Sequence, residues 1–254
     1  MTPKQRIQHI TSWIYKYAQK YKIESLVVGV SGGIDSAVVS TLCARTTLPT
    51  LAVSMPIRQS KHTHDLSVRH AHWLTTQFEN ATNYTVDLTP SFDQFEQAMV
   101  PVFDNELAFA NSRSRLRMMT LYQIAQANGG IVVGTGNRVE DFGVGFYTKY
   151  GDGGVDISPI GDCLKTDVWA MGQELGIMPE IINAAPTDGL WADGRTDEDQ
   201  LGMTYEQLEH AMYMDENELR GTKEELQRLK QYRTIRERNL HKMEPIPVCK
   251  IPRS

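Results

Sequence analysis

A chain of 254 residues with 26 basic and 31 acidic side chains, a net charge of -5 and no basic block is long enough to bury a sizeable core. That charge pattern suggests neither general nucleic-acid binding nor adhesion to a membrane surface. Its three cysteines, Cys43, Cys163 and Cys249, lie far apart without a Cys-x-x-Cys pair, which points to reduced thiols in a cytoplasmic protein; no apolar run suggests export or a membrane span.

Residues 4–21 place Ile7, Ile10, Ile14, Tyr17 and Tyr21 at spacings of three and four, an amphipathic helix whose stripe covers either the sheet or a partner subunit. Residues 26–29 are an apolar, β-branched run bounded by glycine, a buried strand, and a helix follows to about residue 45. Residues 50–55 form a second strand ended by Pro56. A helix over about 60–78 buries Leu66, Leu74 and Phe78, and residues 84–88 make a third strand. Residues 90–110 give a short helix and a connection of no defined shape. Asn111 opens a helix to about residue 128, stopped by Gly129-Gly130, and residues 131–134 are a fourth buried strand. This alternation predicts an α/β fold, a doubly wound parallel sheet with helices on both faces, forming one domain over residues 1–254.

Beyond Gly134 the composition turns glycine-rich as far as Gly154, as in a binding loop. Helices resume at about 166–175, 179–183, 197–213 and 222–240, and the tail with Pro245, Pro247 and Pro252 is not helical. Four histidines, His62, His64, His70 and His72, fall close together, but their i,i+2 pairs share no helix face, so a solvated helix is expected rather than a metal site. The mixed charges of residues 223–238 read as an exposed helix face over buried Leu226, Leu229 and Ile235. Cys43 lies inside a helix, away from an activating N-terminus, which argues against a nucleophilic role.

The chemistry-bearing stretch is Gly29-Val30-Ser31-Gly32-Gly33-Ile34-Asp35-Ser36, at the junction of a buried strand and a helix. Adjacent glycines let backbone N–H groups converge on one anion, and Ser31, Ser36 and the helix N-terminus add donors and partial positive charge. Asp35 would repel a polyphosphate unless a cation lies between, which Mg2+ satisfies by taking carboxylate and phosphate oxygens together. A plain turn in which Asp35 caps the helix is the blander account. Neither G-x-x-x-x-G-K-[ST] nor a strand-borne G-x-G-x-x-G is present. The run instead resembles the pyrophosphate loop of the ATP pyrophosphatases, which split ATP between its α and β phosphates to adenylate a substrate. Gly134-Thr135-Gly136-Asn137-Arg138-Val139-Glu140 leaves the fourth strand on the same sheet edge. There Thr135 can bond phosphate or adenine and Glu140 can supply a second carboxylate to the cation, although the segment alone also reads as a solvated turn.

The segment from Phe146 to Val168, with Thr148-Lys149-Tyr150-Gly151-Asp152-Gly153-Gly154-Val155-Asp156, Pro159-Ile160 and Lys165-Thr166, changes the odds. With the loop it resembles the NAD synthetase family, whose members commonly carry T-G-N-K-x-E, T-K-Y-G-D-G-G-x-D and P-I-x-x-x-x-K-T. The likeness extends to Asn111-Ser112-Arg113-Ser114-Arg115-Leu116-Arg117-Met118, Pro186 to Trp191, Thr196-Asp197-Glu198, Leu201-Gly202 and His241-Lys242.

The resemblance implies an adenine nucleotide alpha hydrolase-like fold and ATP-dependent amidation of deamido-NAD to NAD, in which ammonia displaces AMP from an acyl adenylate. It implies ATP contacts at Gly29 to Ser36, Thr135, Lys165 and Thr187, Mg2+ ligands at Asp35 and Glu140, and dinucleotide contacts at Arg115, Lys149, Asp156, His241 and Lys242. Catalysis falls to Asp35, Lys165 and Asp152, the last as the acidic group that binds ammonium and takes its proton. The family is homodimeric, and no glutaminase domain is expected in this chain, so free ammonia or a separate subunit supplies the nitrogen. Arg138 stands where the family has Lys, Met243 where it has Arg and Ser114 where it often has Ala. The interval from Glu140 to Lys149 is one residue longer than usual, so Asp141 is an alternative to Glu140 at the metal. Rival readings are another pyrophosphatase-loop ligase, such as a GMP synthetase subunit or a tRNA-modifying enzyme, and a non-catalytic adenine-nucleotide sensor.

Overall fold

The computed structural model describes residues 1–59, 61–187 and 196–252, without the side chains of 61–64. The expected helix start at Ser60, the side chains of His62 and His64, and the motif residues Asp188 to Trp191 therefore lie outside the described residues.

Strand β1 (Ser25–Gly29) sits between β2 (Thr50–Ser54) and β4 (Gly130–Val132), and β3 (Ala81–Thr85) lies outside β2, giving an all-parallel order β3-β2-β1-β4. The alternation of β1 explains its fully apolar sequence. Leu26 and Val28 join a cluster with helices α1 (Pro3–Tyr21), α2 (Ile34–Ala44) and α6 (Lys165–Glu174), whereas Val27 points into a second cluster beside α4 (Thr89–Phe103) and α5 (Glu106–Ala127). A sheet buried on both faces is the doubly wound fold expected. The order reverses between β1 and β4, which places a crevice at their carboxyl ends.

The stripe of α1 is spent on this core: Ile7, Ile10, Ile14 and Ala18 are buried, while Tyr21 is exposed. Helix α3 (Lys61–Gln77) buries Leu66 and Leu74, with Phe78 half-buried just beyond it. His70 corrects the solvated-helix expectation: it is fully buried, its Nε2 is 2.9 Å from Ser40 Oγ, and its ring stacks on Trp73.

Strand β3 begins three residues before the expected 84–88. As the outer strand it exposes Thr82 to Thr85 and shows no apolar alternation, so its register is set by backbone pairing of Thr50 with Ala81 rather than by side chains. Helix α5 opens at Glu106, because Asn105 is the cap, its side chain accepting from Ala108 N at 2.9 Å. Asn111 is instead an acceptor for Thr148 Oγ1 at 2.7 Å.

The expected helix over 197–213 is two helices, α8 (Asp197–Leu201) and α9 (Tyr205–Glu216), after the short α7 (Pro179–Ile182). Gly202 at φ 68° ends the first, and Thr204 with Gln207 forms a capping box for the second. Helix α10 (Lys223–Met243) buries Leu229 and Tyr232, but Leu226 is exposed, contrary to expectation. Between β4 and α6, Arg138–Val144 is a π-helical turn rather than open loop. It ends at Gly145, whose φ is 65° and where an added Cβ would come within 2.7 Å of Asn239 Cβ, leaving no room for a side chain. Among the described residues no helix is long and apolar enough to cross a membrane.

Candidate functional site

The Ser-Gly-Gly turn leaves β1 at the switch point. Gly32 adopts φ 90°, and the two serines wire the loop internally: Gly33 N donates to Ser31 Oγ at 3.2 Å, Ser31 N donates to Ser36 Oγ at 3.2 Å, and Ser36 Oγ donates to Gly33 O at 3.0 Å. The loop is thus held in its curve before any ligand arrives, and Asp35 stands in the first turn of α2.

Across the crevice, Asn137 caps the π-helical turn by accepting from the N–H groups of Val139 and Glu140 at 3.0 and 3.1 Å. Its Nδ2 donates to Asp35 Oδ1 at 3.1 Å, joining the two loops through a buried side chain. Lys165, at the start of α6 and almost fully buried, places Nζ 2.6 Å from Asp35 Oδ2 and 2.9 Å from Glu140 Oε1. The same Glu140 oxygen accepts the Tyr205 hydroxyl at 2.5 Å. Glu140, not Asp141, is the carboxylate that meets Lys165.

Burial works against the charges of all three groups, and pairing decides their states. Desolvation pushes Asp35 above the usual carboxylate range, against the pull of the Lys165 ammonium. Glu140 faces the same desolvation, yet Lys165 and the Tyr205 hydroxyl hold it below that range. Lys165 keeps its proton despite burial because Asp35 and Glu140 flank it. Asp141, crowded by protein and by Glu140, Asp152 and Asp35, is pushed well above the ordinary range.

Two cavities meet along Ser31, Thr135, Asp152 and Thr187. One, of about 400 Å³, is floored by the glycine loop and by Asp35, Glu140 and Lys165. The other, of about 470 Å³, continues past Gly29, Met55 and Leu121 and reaches Lys242. Asp152 lies on the seam, its Oδ1 accepting from Ser114 Oγ at 2.7 Å and Thr148 N at 3.0 Å. Loss of surrounding water in the cavity raises its carboxyl above the ordinary range, against those hydrogen bonds. Ser114, where the family often has Ala, thus uses its hydroxyl to orient Asp152. Lys242 Nζ donates to Tyr147 O at 2.8 Å, and loss of water lowers its ammonium from the usual lysine range against the attraction of Asp152 and Asp141.

The structure therefore brings together Gly29 to Ser36, Thr135, Glu140, Asp152, Lys165, Thr187 and Lys242. Arg115, Lys149 and His241 form an outer rim instead. Arg115 Nε donates to Lys149 O at 3.3 Å and Lys149 Nζ to His241 O at 3.0 Å. Asp156 stands apart from both cavities, its Oδ2 accepting from Val132 N at 2.7 Å beside Tyr122, whose hydroxyl is pushed up to about 12 by burial and by that carboxylate. Arg138 pairs with Glu216 at 2.7 Å and Asp162 at 3.5 Å, so its guanidinium is engaged by carboxylates. Cys43 is buried in α2 with its thiol pushed up by desolvation, and Cys163 is pushed up to about 11, so neither is primed as a nucleophile.

Two residues that sequence reasoning left without a role are Asn137 and Tyr205. Asn137 lay inside a recognised motif, whereas Tyr205 follows a helix cap and carries no sequence signal for a place beside Glu140.

The donor set fits a magnesium ion. Among the described residues no three His, Cys, Asp or Glu side chains gather to hold a metal by themselves. Asp35 and Glu140 converge on one cationic centre, the Lys165 ammonium, and one or two carboxylates completed by phosphate oxygens and water is the usual way proteins hold Mg2+.

A family model described as NAD synthase matches residues 6–245. The chain belongs to the NAD synthase family. Within that family the chain is similar to an NH3-dependent NAD+ synthetase of Finegoldia magna, 37% identical over 214 residues that cover 83% of this chain and 84% of that one. Among solved structures it is similar to an NMN synthetase from Francisella tularensis, with TM-score 0.87 and 31% identity over 99% of this chain and 100% of that chain. An NH3-dependent NAD synthetase from Campylobacter jejuni, at TM-score 0.80 and 21% identity over 98% of this chain and 100% of that chain, shares the fold.

Proposed function

We propose that the protein is a carbon–nitrogen ligase that uses ATP to amidate deamido-NAD with ammonia, giving NAD, AMP and diphosphate through an acyl adenylate. The observation that carries this reading is Lys165, clamped between Asp35 and Glu140 immediately behind a preformed glycine loop at the switch point. A carboxylate becomes an acylating agent only when its oxygen is made a leaving group, and attack on the α-phosphorus of ATP achieves that. Departure of diphosphate then needs charge neutralisation, which the N-terminus of α2 and the buried Lys165 ammonium supply. Asp35 and Glu140 would hold Mg2+, which when bound would offset the charge of the leaving phosphates. Thr135 and Thr187 line the same crevice and contact ATP.

The second cavity takes the pyridine carboxylate, with Lys242 at its far side and Arg115, Lys149 and His241 on the rim. Ammonium must lose a proton before it attacks. Asp152, on the seam between the cavities and with a raised carboxyl, is placed to hold the cation and accept that proton. The likeness to the NMN synthetase favours a second reading in which the pyridine carboxylate arrives on a mononucleotide. The reduced, buried Cys43 and Cys163 suit a cytoplasmic enzyme.

A homodimer accompanies the reading. Because α1 is spent on the core, the exposed Val100, Val102, Phe103 and Leu107 where α4 meets α5 are the face that supports a second copy. Sedimentation of the free protein as a monomer would reject it.

The deciding assay supplies ATP, Mg2+ and ammonium with either deamido-NAD or nicotinate mononucleotide. AMP formed in step with NAD supports the first reading, and AMP formed in step with NMN supports the second. ATP binding with both pyridine substrates unchanged defeats both and favours a sensor.

A further inference from the structure

We infer that Tyr205 is a positioning residue whose hydroxyl fixes the Glu140 carboxylate for the cation. The inference rests on the reading of Asp35 and Glu140 as the protein ligands of Mg2+, and it concerns a residue on a different element from either. Tyr205 is the first residue of α9, has no exposed surface, and lies in the cluster formed by the π-helical turn, α9 and α10. A tyrosine hydroxyl taken out of water needs a partner, and this one donates to Glu140 Oε1 at 2.5 Å, with Asp197 Oδ2 at 3.3 Å behind it. Its own N–H donates to Glu198 Oε1 at 3.0 Å, so backbone and side chain are both fixed by the α8–α9 corner. The ring meets Trp169 edge-on at 5.9 Å and lies 4.7 Å under Lys165 Nζ.

Geometry separates this from packing alone. Glu140 sits on a single π-helical turn, and its Oε1 is shared by two donors, Tyr205 and Lys165. Lys165 is in turn divided between Glu140 and Asp35, so its hold on Glu140 is conditional on where the ammonium points. Tyr205 reaches the same oxygen from α9, an element that carries neither Asp35 nor Lys165. Groups that orient a ligating carboxylate are typically worth about 10–100-fold in metal affinity.

The test is Tyr205→Phe, which removes one oxygen and keeps the ring against Trp169 and Lys165. Mn2+ affinity is measured by electron paramagnetic resonance in the presence of a non-hydrolysable ATP analogue, alongside thermal unfolding. The expected result is a fall of about tenfold or more in Mn2+ affinity. The Mg2+ concentration needed for half-maximal turnover should rise by a similar factor, with kcat recovered at saturating Mg2+. In the Glu140→Gln background the same substitution should add nothing, because its effect runs through that carboxylate. Tyr205→Met, as a second variant of similar bulk, should reproduce the loss. Unchanged Mn2+ affinity in both variants, even with a lowered melting temperature, would make Tyr205 a packing residue and overturn the inference while sparing the cation site. Wild-type protein that binds no Mn2+ with the analogue would overturn the cation reading and this inference together.

Discussion

Lys165→Met removes the one charge on which the two loops of the site converge, and the structure sets the size of the effect. At contacts of 2.6 and 2.9 Å the ammonium gains roughly 6 kcal/mol from each carboxylate at an effective dielectric of about 20, before its own desolvation is counted. Without it, Asp35 and Glu140 face each other at no more than the span of those two contacts and repel by at least about 3 kcal/mol at the same dielectric. After relaxation and proton uptake by one carboxylate, breaking a buried pair costs about 3–5 kcal/mol, a fall of about 10 °C in melting temperature for a chain of this size. A divalent cation should restore much of the loss, since at a hundredfold over its dissociation constant a ligand returns about 2.7 kcal/mol. The assay is thermal unfolding of wild type and variant at pH 7 with and without Mg2+. The variant should be the less stable protein and should gain more from Mg2+ than wild type does. Equal melting temperatures, or a variant destabilised but indifferent to Mg2+, would refute the claim that Lys165 and a cation neutralise the same two carboxylates.

Asp35→Ala should abolish formation of AMP and NAD while circular dichroism stays that of wild type; near-normal turnover would remove Asp35 from the metal. His70 is buried and neutral, and desolvation lowers it from 6.5 to about 4. The unfolded chain therefore binds the extra proton first, and stability should fall as pH drops from about 6.5 towards 4, by about 3 kcal/mol from this group. His70→Gln, which keeps a partner for Ser40, should flatten that part of the urea-denaturation profile relative to wild type, and an identical slope would show that His70 is not responsible. Gly145→Ala forces a side chain into a left-handed backbone against Asn239 and should cost at least about 2 kcal/mol in urea unfolding, with turnover lost in parallel as α10 is pushed off the π-helical turn. Arg138→Lys restores the family's usual residue and weakens only the part-exposed pairs with Glu216 and Asp162, so stability should change by less than about 1 kcal/mol and turnover should persist.

The central part of the fold was readable because burial on both faces leaves a mark in the sequence. β1, β2 and β4 are apolar on successive residues and are ended by glycine or proline, so their positions could be read within a residue or two. The misplacements occur where that mark fades. β3 has one covered residue and four exposed ones, so nothing in its side chains distinguishes residues 81–85 from 84–88; only pairing with β2 does. The break between α8 and α9 was written in Gly202 and Thr204, inside the span read as one helix over 197–213. His70 misled for a different reason. A spacing argument against metal ligation does not make a histidine solvated, and a single hydroxyl partner, Ser40, accompanies the burial of His70.

The site divides in the same way, by whether a residue's task is local or shared. The turn of residues 31–36 declares itself because its adjacent glycines and serines stand at fixed offsets within one loop, and the internal serine bonds hold that turn in its curve. What no local pattern announces is how charges from distant segments balance. Asp35 and Lys165 are 130 positions apart and Glu140 and Tyr205 are 65 apart, yet each pair is in hydrogen-bonding contact. Desolvation raises Asp35 and works against both Glu140 and Lys165, so none of the three could hold its charge alone in this place. The fold therefore has to bring β1, β4, α6 and α9 together before any one of these residues acquires the protonation state its chemistry needs. The Lys165 ammonium that joins Asp35 to Glu140 lines the same crevice as the glycine loop, so the ion pairs that stabilise the crevice use the same charges that the proposed departure of diphosphate requires.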